Sequence, residues 1–291
     1  MKSFETLQLS REGAVATVVL NRPEKMNSIS DPLRAELEEA FNLLAGVDSI
    51  RVVRLHGAGR TFSAGYDLAG GYAPLHTGDA NLPDDDAGDD WLAELGRSDH
   101  AVDAEGLRDV ADWLLRLRRF EKPVIAQVHG YCLSGALDLI SICDIVIAGE
   151  SARFGHPAAR ALGVPPLLGM LPFKVGALRT KEILFTGDLI DAATAERWNL
   201  INRVVPDADL EAEAKAYCER VALTHREMLA LHKQVTNRWI DLQGVQPAVD
   251  LTVDLDAASH ESPVLAEFGR IAGAEGVKAA LEWRDGPFNA E

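Results

Sequence analysis

Twice in this chain, about seventy residues apart, an apolar β-like run is broken by small residues. Arg51 to His56 leads into Phe62-Ser63-Ala64-Gly65-Tyr66-Asp67-Leu68, and Val124 to Val128 leads into His129-Gly130-Tyr131-Cys132-Leu133-Ser134-Gly135-Ala136-Leu137-Asp138. Small residues at a strand end let backbone N–H groups approach a ligand with no side chain in the way. Two such groups converging on one carbonyl oxygen make an oxyanion hole, the device of chemistry in which negative charge develops on oxygen. Both runs belong to an alternation of strands and helices, which argues for α/β architecture with right-handed crossovers.

Val15 to Leu20 reads as a strand stopped by Asn21-Arg22-Pro23-Glu24. Ser30 or Asp31 can cap the following helix, with Pro32 in its first turn and Leu33, Leu37, Ala40, Phe41 and Leu44 on one face. A helix over Ala104 to Phe120, a helix from about Gly135 and a strand over Ile145 to Ala148 continue the pattern. Residues 70–103 break it, with Asp84-Asp85-Asp86 and Asp89-Asp90 at their centre. They lack the spacing of a calcium loop, so the reading is a long acidic loop, either a lid or a solvated segment, and no metal site. The spacing after Pro206 predicts helices over Leu210 to Leu223, Arg226 to Leu242, Pro247 to Ser259 and Pro263 to Ile271. The division read from sequence is a core over 1–205 and a helical region over 206–291, a layer suited to docking on neighbouring subunits.

A formal net charge of −16 over 291 residues argues against nucleic-acid binding, which leaves a basic footprint. The three cysteines, Cys132, Cys143 and Cys218, have no metal-like spacing and read as reduced, buried thiols, which suggests a cytoplasmic protein. The opening Lys2-Ser3-Phe4-Glu5 shows no signal-peptide pattern, and no apolar run reaches the eighteen or so residues of a membrane span, so no membrane partner is expected.

Several segments, in order and spacing, carry a resemblance to a known family. They are Val19-Leu20-Asn21-Arg22-Pro23-Glu24-Lys25-Met26-Asn27, Gly59-Arg60-Thr61-Phe62-Ser63-Ala64-Gly65-Tyr66-Asp67-Leu68 and Lys122-Pro123-Val124-Ile125-Ala126. Further on come Cys143-Asp144-Ile145, Phe154-Gly155-His156-Pro157 and Phe185-Thr186-Gly187-Asp188-Leu189-Ile190-Asp191-Ala192. With these the chain resembles the crotonase, or enoyl-CoA hydratase/isomerase, superfamily from about residue 5 to its end. The resemblance implies a crotonase-like core of ββα spiral turns, a C-terminal helical trimerisation region, a homotrimer or homohexamer, and coenzyme A thioesters as substrates with no further cofactor. It implies the N–H of Tyr66 and the N–H of Gly135 as oxyanion donors, the latter helped by the dipole of the helix it opens. It also implies a grip on coenzyme A by the backbone at Lys25, Met26, Ala64 and Leu68. Phe268 falls where family members offer an aromatic from a neighbouring subunit, although ordinary helix packing would equally explain it.

Hydratases of this superfamily hold a water between two glutamates. Here Asp138 takes the first position as a shorter acid, and the second is Ala158, or Ala159 if the alignment slips by one. Pro165-Pro166 replaces a glycine-rich turn, so the two-glutamate mechanism does not transfer intact. His156 can supply a base titrating near neutral pH or can merely support the site. His129, Asp67 and Asp144 read as structural, the Tyr66 hydroxyl has no assigned role, and Arg160 reads as a surface residue that could otherwise meet an acidic acyl group. The working expectation is enoyl-CoA hydration/dehydration or isomerisation with Asp138 as acid/base. The alternatives are acyl-CoA hydrolysis, C–C bond hydrolysis of a β-oxoacyl-CoA, or acyl-CoA binding without turnover.

Overall fold

The computed structural model describes residues 3–68, 100–165 and 170–289, and its first strand is one that hydropathy does not announce. β1 (Leu7–Glu12) buries only Leu7 and pairs antiparallel with β2 (Val15–Leu20) at the sheet edge, so it carries no apolar run. From β2 onward the pairing is parallel, through β3 (Val52–Gly57), β4 (Val124–Val128), β6 (Ile145–Gly149) and β9 (Arg203–Val205). Both faces of the inner strands β2, β3, β4 and β6 are covered, which is why they are mostly apolar. A smaller sheet joins β5 (Tyr131–Leu133), β7 (Arg153–Gly155) and β8 (Ile190–Asp191).

The two sheets are built by one repeated move. β4 and β6 each hand the chain to a short strand of the small sheet, β5 and β7. β3 does the same in abbreviated form, because Ser63 bridges Cys132 in parallel and Tyr66 bridges Ile29. This is the crotonase-like ββα spiral, and it lays successive strand ends side by side.

Helix α1 (Asp31–Ala45) buries the five apolar residues its spacing predicts, and Ser30 is its cap, with its side chain accepting the Leu33 N–H. At the other end the buried Lys122 ammonium donates to the carbonyls of Leu44 and Val47, satisfying acceptors that a helix terminus leaves over. α2 (His100–Arg118) begins earlier than its expected start, so residues 100–103 are helical rather than part of the stretch read as an acidic loop. The aspartate-rich centre of that stretch lies outside the described residues. α3 (Gly135–Ser141) follows, then two helices that the periodicity left unread, α4 (Leu171–Thr186), broken at Gly176, and α5 (Ala192–Arg197).

The last third contains α6 (Leu210–Ala222), α7 (Arg226–Asp241), α8 (Val245–His260), α9 (Pro263–Glu275) and α10 (Val277–Asn289), the last unforeseen. α6 packs its Leu210, Ala214, Cys218 and Ala222 on Val52, Ile125 and Ile147 of its own sheet. α8 lies along α2, and α10 returns over residues 157–160. α7 presents Leu231, Val235 and Trp239 to solvent in this single chain. Among the described residues no helix is long and apolar enough to cross a membrane.

Candidate active site

The spiral brings the two small-residue segments into contact. Phe62 N–H donates to His129 O (2.8 Å), Ser63 N–H to Tyr131 O (3.0 Å) and Leu133 N–H to Ser63 O (3.2 Å). Gly65 has φ 96°, a left-handed conformation that favours glycine, and a Cβ there would stand 2.7 Å from Leu133 O and 3.1 Å from Gly135 N. Gly135 is the first residue of α3, where intrahelical pairing leaves the N–H unclaimed, and it donates no hydrogen bond among the described residues. Ser134 before it adopts φ 50°, ψ −119°, at a cost on the order of 1–3 kcal/mol for a residue with a side chain, and is held by its N–H on Gly155 O (2.9 Å). A Cβ on Gly135 would meet the Tyr66 ring at 2.5 Å, so this close approach demands glycine. α3 has only 7 residues, so its dipole is that of two turns, a smaller aid than a long helix would give.

Beside this junction opens a cavity of about 480 Å³, and six of the residues singled out from sequence line it: Lys25, Met26, Ala64, Tyr66, Leu68 and His156. The Lys25–Met26 backbone is aimed there by two successive left-handed residues, Met26 (φ 50°) and Asn27 (φ 52°). Asn27 is fully buried and fixes the turn, donating to Ala58 O (2.8 Å) and Thr61 O (2.9 Å) and accepting the Arg22 N–H (2.9 Å). Met26 O accepts the Ala64 N–H (3.0 Å), and Asp67 pairs with Arg22 (2.8 Å), so the first two motif segments form one rigid wall.

Gly135, Asp138 and Phe268 are not part of the described wall. Gly135 lies beneath the Tyr66 ring. Asp138, 3% exposed, is three residues further along α3 and so shares the helix face of Gly135. Phe268 is wholly buried in its own chain against Ile271, Ala280, Leu68 and Leu162, which leaves no aromatic face to offer a neighbouring subunit. Ala158 does line the cavity, where it contributes only a methyl group.

His156 is buried, and its Nδ1 finds no hydrogen-bond partner among the described residues. Burial pulls its pKa down from 6.5 to about 4; its own backbone opposes this and the Arg284 charge reinforces it. A limb near neutral pH from this histidine is therefore displaced downward, and the imidazole is neutral at working pH. Its folded value lies below its unfolded one, so the unfolded chain binds the extra proton between about pH 6.5 and 4, and native stability falls as pH drops through that window. Replacement by glutamine removes this term. The stability advantage of wild type over His156→Gln should shrink by about 3 kcal/mol between pH 7 and pH 4 in denaturant unfolding. A constant difference would show that the imidazole is not buried neutral.

The remaining candidates have structural tasks. Asp144 accepts the Val124 N–H (2.7 Å) and the Lys233 ammonium (2.7 Å), and His129 contacts Gly59 O (3.0 Å). Arg160 is not a surface residue: its side chain is 9% exposed, bonds Thr186 O (2.8 Å), Asp188 (2.9 Å) and Asp285 (3.0 Å), and pins α10 to residues 157–160. All three cysteines are buried, and burial drives Cys143 and Cys218 up to about 12, leaving no thiolate. Sequence reading missed five charged residues of the cavity wall, Glu24, Arg60, Asp256, His260 and Arg284. Glu24 and Arg60 stood inside recognised segments; the others come from helices whose path over the cavity no local pattern encodes.

A family model described as enoyl-CoA hydratase/isomerase matches residues 10–93 and 86–289 of this chain. A Rhizobium meliloti (strain 1021) protein named "Probable enoyl-CoA hydratase" is 31% identical over 82% of this chain and 84% of its own length. The "Crotonyl-CoA hydratase" of Syntrophomonas wolfei is 28% identical over 98% of both chains. Among solved structures, an enoyl-CoA hydratase/isomerase from Xanthobacter autotrophicus Py2 superposes with a TM-score of 0.86 at 29% identity, covering 99% of this chain and 100% of that one.

Proposed function

Because this chain belongs to the enoyl-CoA hydratase/isomerase family, we propose that it binds acyl-CoA thioesters and holds the thioester oxygen between the N–H groups of Tyr66 and Gly135. The observation that carries this reading is the contact between Gly65 and Gly135 beside a cavity walled by the Lys25–Met26 and Ala64–Leu68 segments. The rigid backbone of those segments suits a coenzyme A grip, and Lys25 and Arg60 on the same wall suit its phosphates. In the reaction we assign, charge moves onto the thioester oxygen as water adds at the β-carbon or as a proton leaves the carbon that loses it. Donors fixed in advance stabilise that enolate more than the ground state.

Asp138 is the acid/base of this reading, placed one helical turn from the donor glycine. With only a methyl group at Ala158, Asp138 works without a second carboxylate at that position, which is sufficient for shuttling a single proton in double-bond isomerisation or for hydration in which the same group handles the water. Incubation with a panel of enoyl-, hydroxyacyl- and β-oxoacyl-CoAs, read by mass spectrometry, separates the outcomes. Hydration changes mass by one water, and isomerisation leaves mass unchanged but shifts chromatographic retention. Release of free coenzyme A thiol would instead assign hydrolysis, and binding without conversion of any member would leave a binding protein.

A further inference from the structure

The cavity holds a second polar constellation, made by residues far apart in sequence and away from the oxyanion donors. Asp256 and His260, one turn apart on α8, both line the cavity, and Asp103 of α2 stands behind His260. His260 Nδ1 lies 2.6 Å from Asp103 Oδ2, and Nε2 lies 3.4 Å from Asp256 Oδ1; the three side chains are 4 to 8% exposed. Asp256 Oδ1 accepts the Val164 N–H (2.6 Å) and lies 3.3 Å from the Ser259 hydroxyl, which donates to the Asp256 carbonyl (2.7 Å), while Oδ2 has no hydrogen bond among the described residues.

Three ionisable groups withdrawn from water cost several kcal/mol each unless compensated, and a cavity meant only for an alkyl chain gains nothing from them. Burial raises Asp256 to about 6 against the pull of His260, so near pH 7.5 it is ionised. Burial alone would lower His260, but the Asp103 hydrogen bond, the charges of Asp256 and Asp103 and the Leu162 carbonyl outweigh it, and the imidazole is shifted toward its protonated form. Nε2 faces Asp256 at 3.4 Å, long for a hydrogen bond, and the Leu162 carbonyl, and a ligand can share the Nε2–H with these contacts. An independent observation points to a polar ligand in the same cavity: His156 lines it, is 4% exposed, and has an Nδ1 without a hydrogen-bond partner among the described residues.

We propose that Asp256 and His260 form a polar subsite for the acyl group and that it selects acyl chains bearing a hydroxyl. A hydroxyl both donates and accepts, matching the acceptor Asp256 Oδ2 and the donor His260 Nε2–H together. A carboxylate would face the net negative charge of the cluster. An ammonium would leave the Nε2–H confronting a like charge. A plain alkyl chain would strand both groups without water.

The inference rests on the acyl-CoA reading of the cavity, and calorimetric titration at pH 7.5 separates the two. The ligands are coenzyme A, hexanoyl-CoA, and hexanoyl-CoA carrying a hydroxyl at carbon 4, 5 or 6. At least one hydroxylated thioester should bind about tenfold or more tightly than hexanoyl-CoA, the effect of a hydrogen bond to a charged group. In Asp256→Ala and in His260→Gln that ratio should fall below about twofold, and because it compares ligands within one protein, a general loss of affinity cancels. Hexanoyl-CoA binding as tightly as every hydroxylated ligand to wild type overturns the subsite whether or not the variants fold, as does a preference that survives in both. Failure of coenzyme A and of all its thioesters to bind removes the acyl-CoA reading and the subsite with it.

Discussion

Gly135→Pro should lower turnover of the true thioester by about 10²–10³-fold, the usual cost of removing one oxyanion donor. Proline lacks the N–H, and it also brings a Cβ into the space where the Tyr66 ring lies 2.5 Å away. Two further variants separate these effects. Gly135→Ala keeps the donor and adds only the clash, so its loss should be relieved when Tyr66→Ala opens the space, because the proposed role of Tyr66 is carried by its backbone. Gly135→Pro should shed its clash in the same way yet stay about 10²–10³-fold below Gly135→Ala in the Tyr66→Ala background, because the N–H is still missing. Equal turnover of the two double variants would mean that the glycine is needed for room alone, and wild-type turnover in a folded Gly135→Pro would remove the oxyanion assignment.

Asp138→Asn should lower kcat by about 10²–10⁴-fold, the contribution of a positioned acid/base, with coenzyme A affinity nearly unchanged. Affinity is spared because the proposed grip lies in the Lys25–Met26 and Ala64–Leu68 segments, which line the cavity while Asp138 does not. The Tyr66 ring covers Gly135, and Asp138 lies three residues further along the same helix. Full activity in Asp138→Asn would assign the proton transfer to a residue of the cavity wall instead. His156, held near pKa 4 by burial, offers a neutral imidazole there, and its loss should cost much less than that of Asp138 if it only supports the site.

What the sequence made legible is what depends on short range. The apolar face of α1, the Ser30 cap among its two candidates, the runs of β2 to β4 and β6, and the glycines at both strand ends follow from spacing and residue size. The structural tasks of Asp67 and Asp144 were likewise legible, because polar residues at such junctions bond backbone and neighbouring charges. Long-range placement was not. β1 has one buried residue, and α4 changes direction at Gly176, so neither shows a clean period. The path of α9 and α10 over the chain's own cavity buries Phe268 and brings Arg284 to the wall. Asp103, Asp256 and His260 meet only because α2 and α8 lie side by side, a fact that no stretch of either helix records.

In the proposed oxyanion hole the N–H groups of Tyr66 and Gly135 hold the thioester carbonyl. Isotope-edited infrared difference spectroscopy of hexanoyl-CoA labelled with ¹³C at that carbonyl observes the bond itself. Two convergent donors should shift its stretch to lower frequency on binding to wild type, and the shift should be largely lost in Gly135→Pro at saturating ligand. A carbonyl stretch in the wild-type complex that matches free ligand in water, or one that Gly135→Pro leaves unchanged, would rule out this hole.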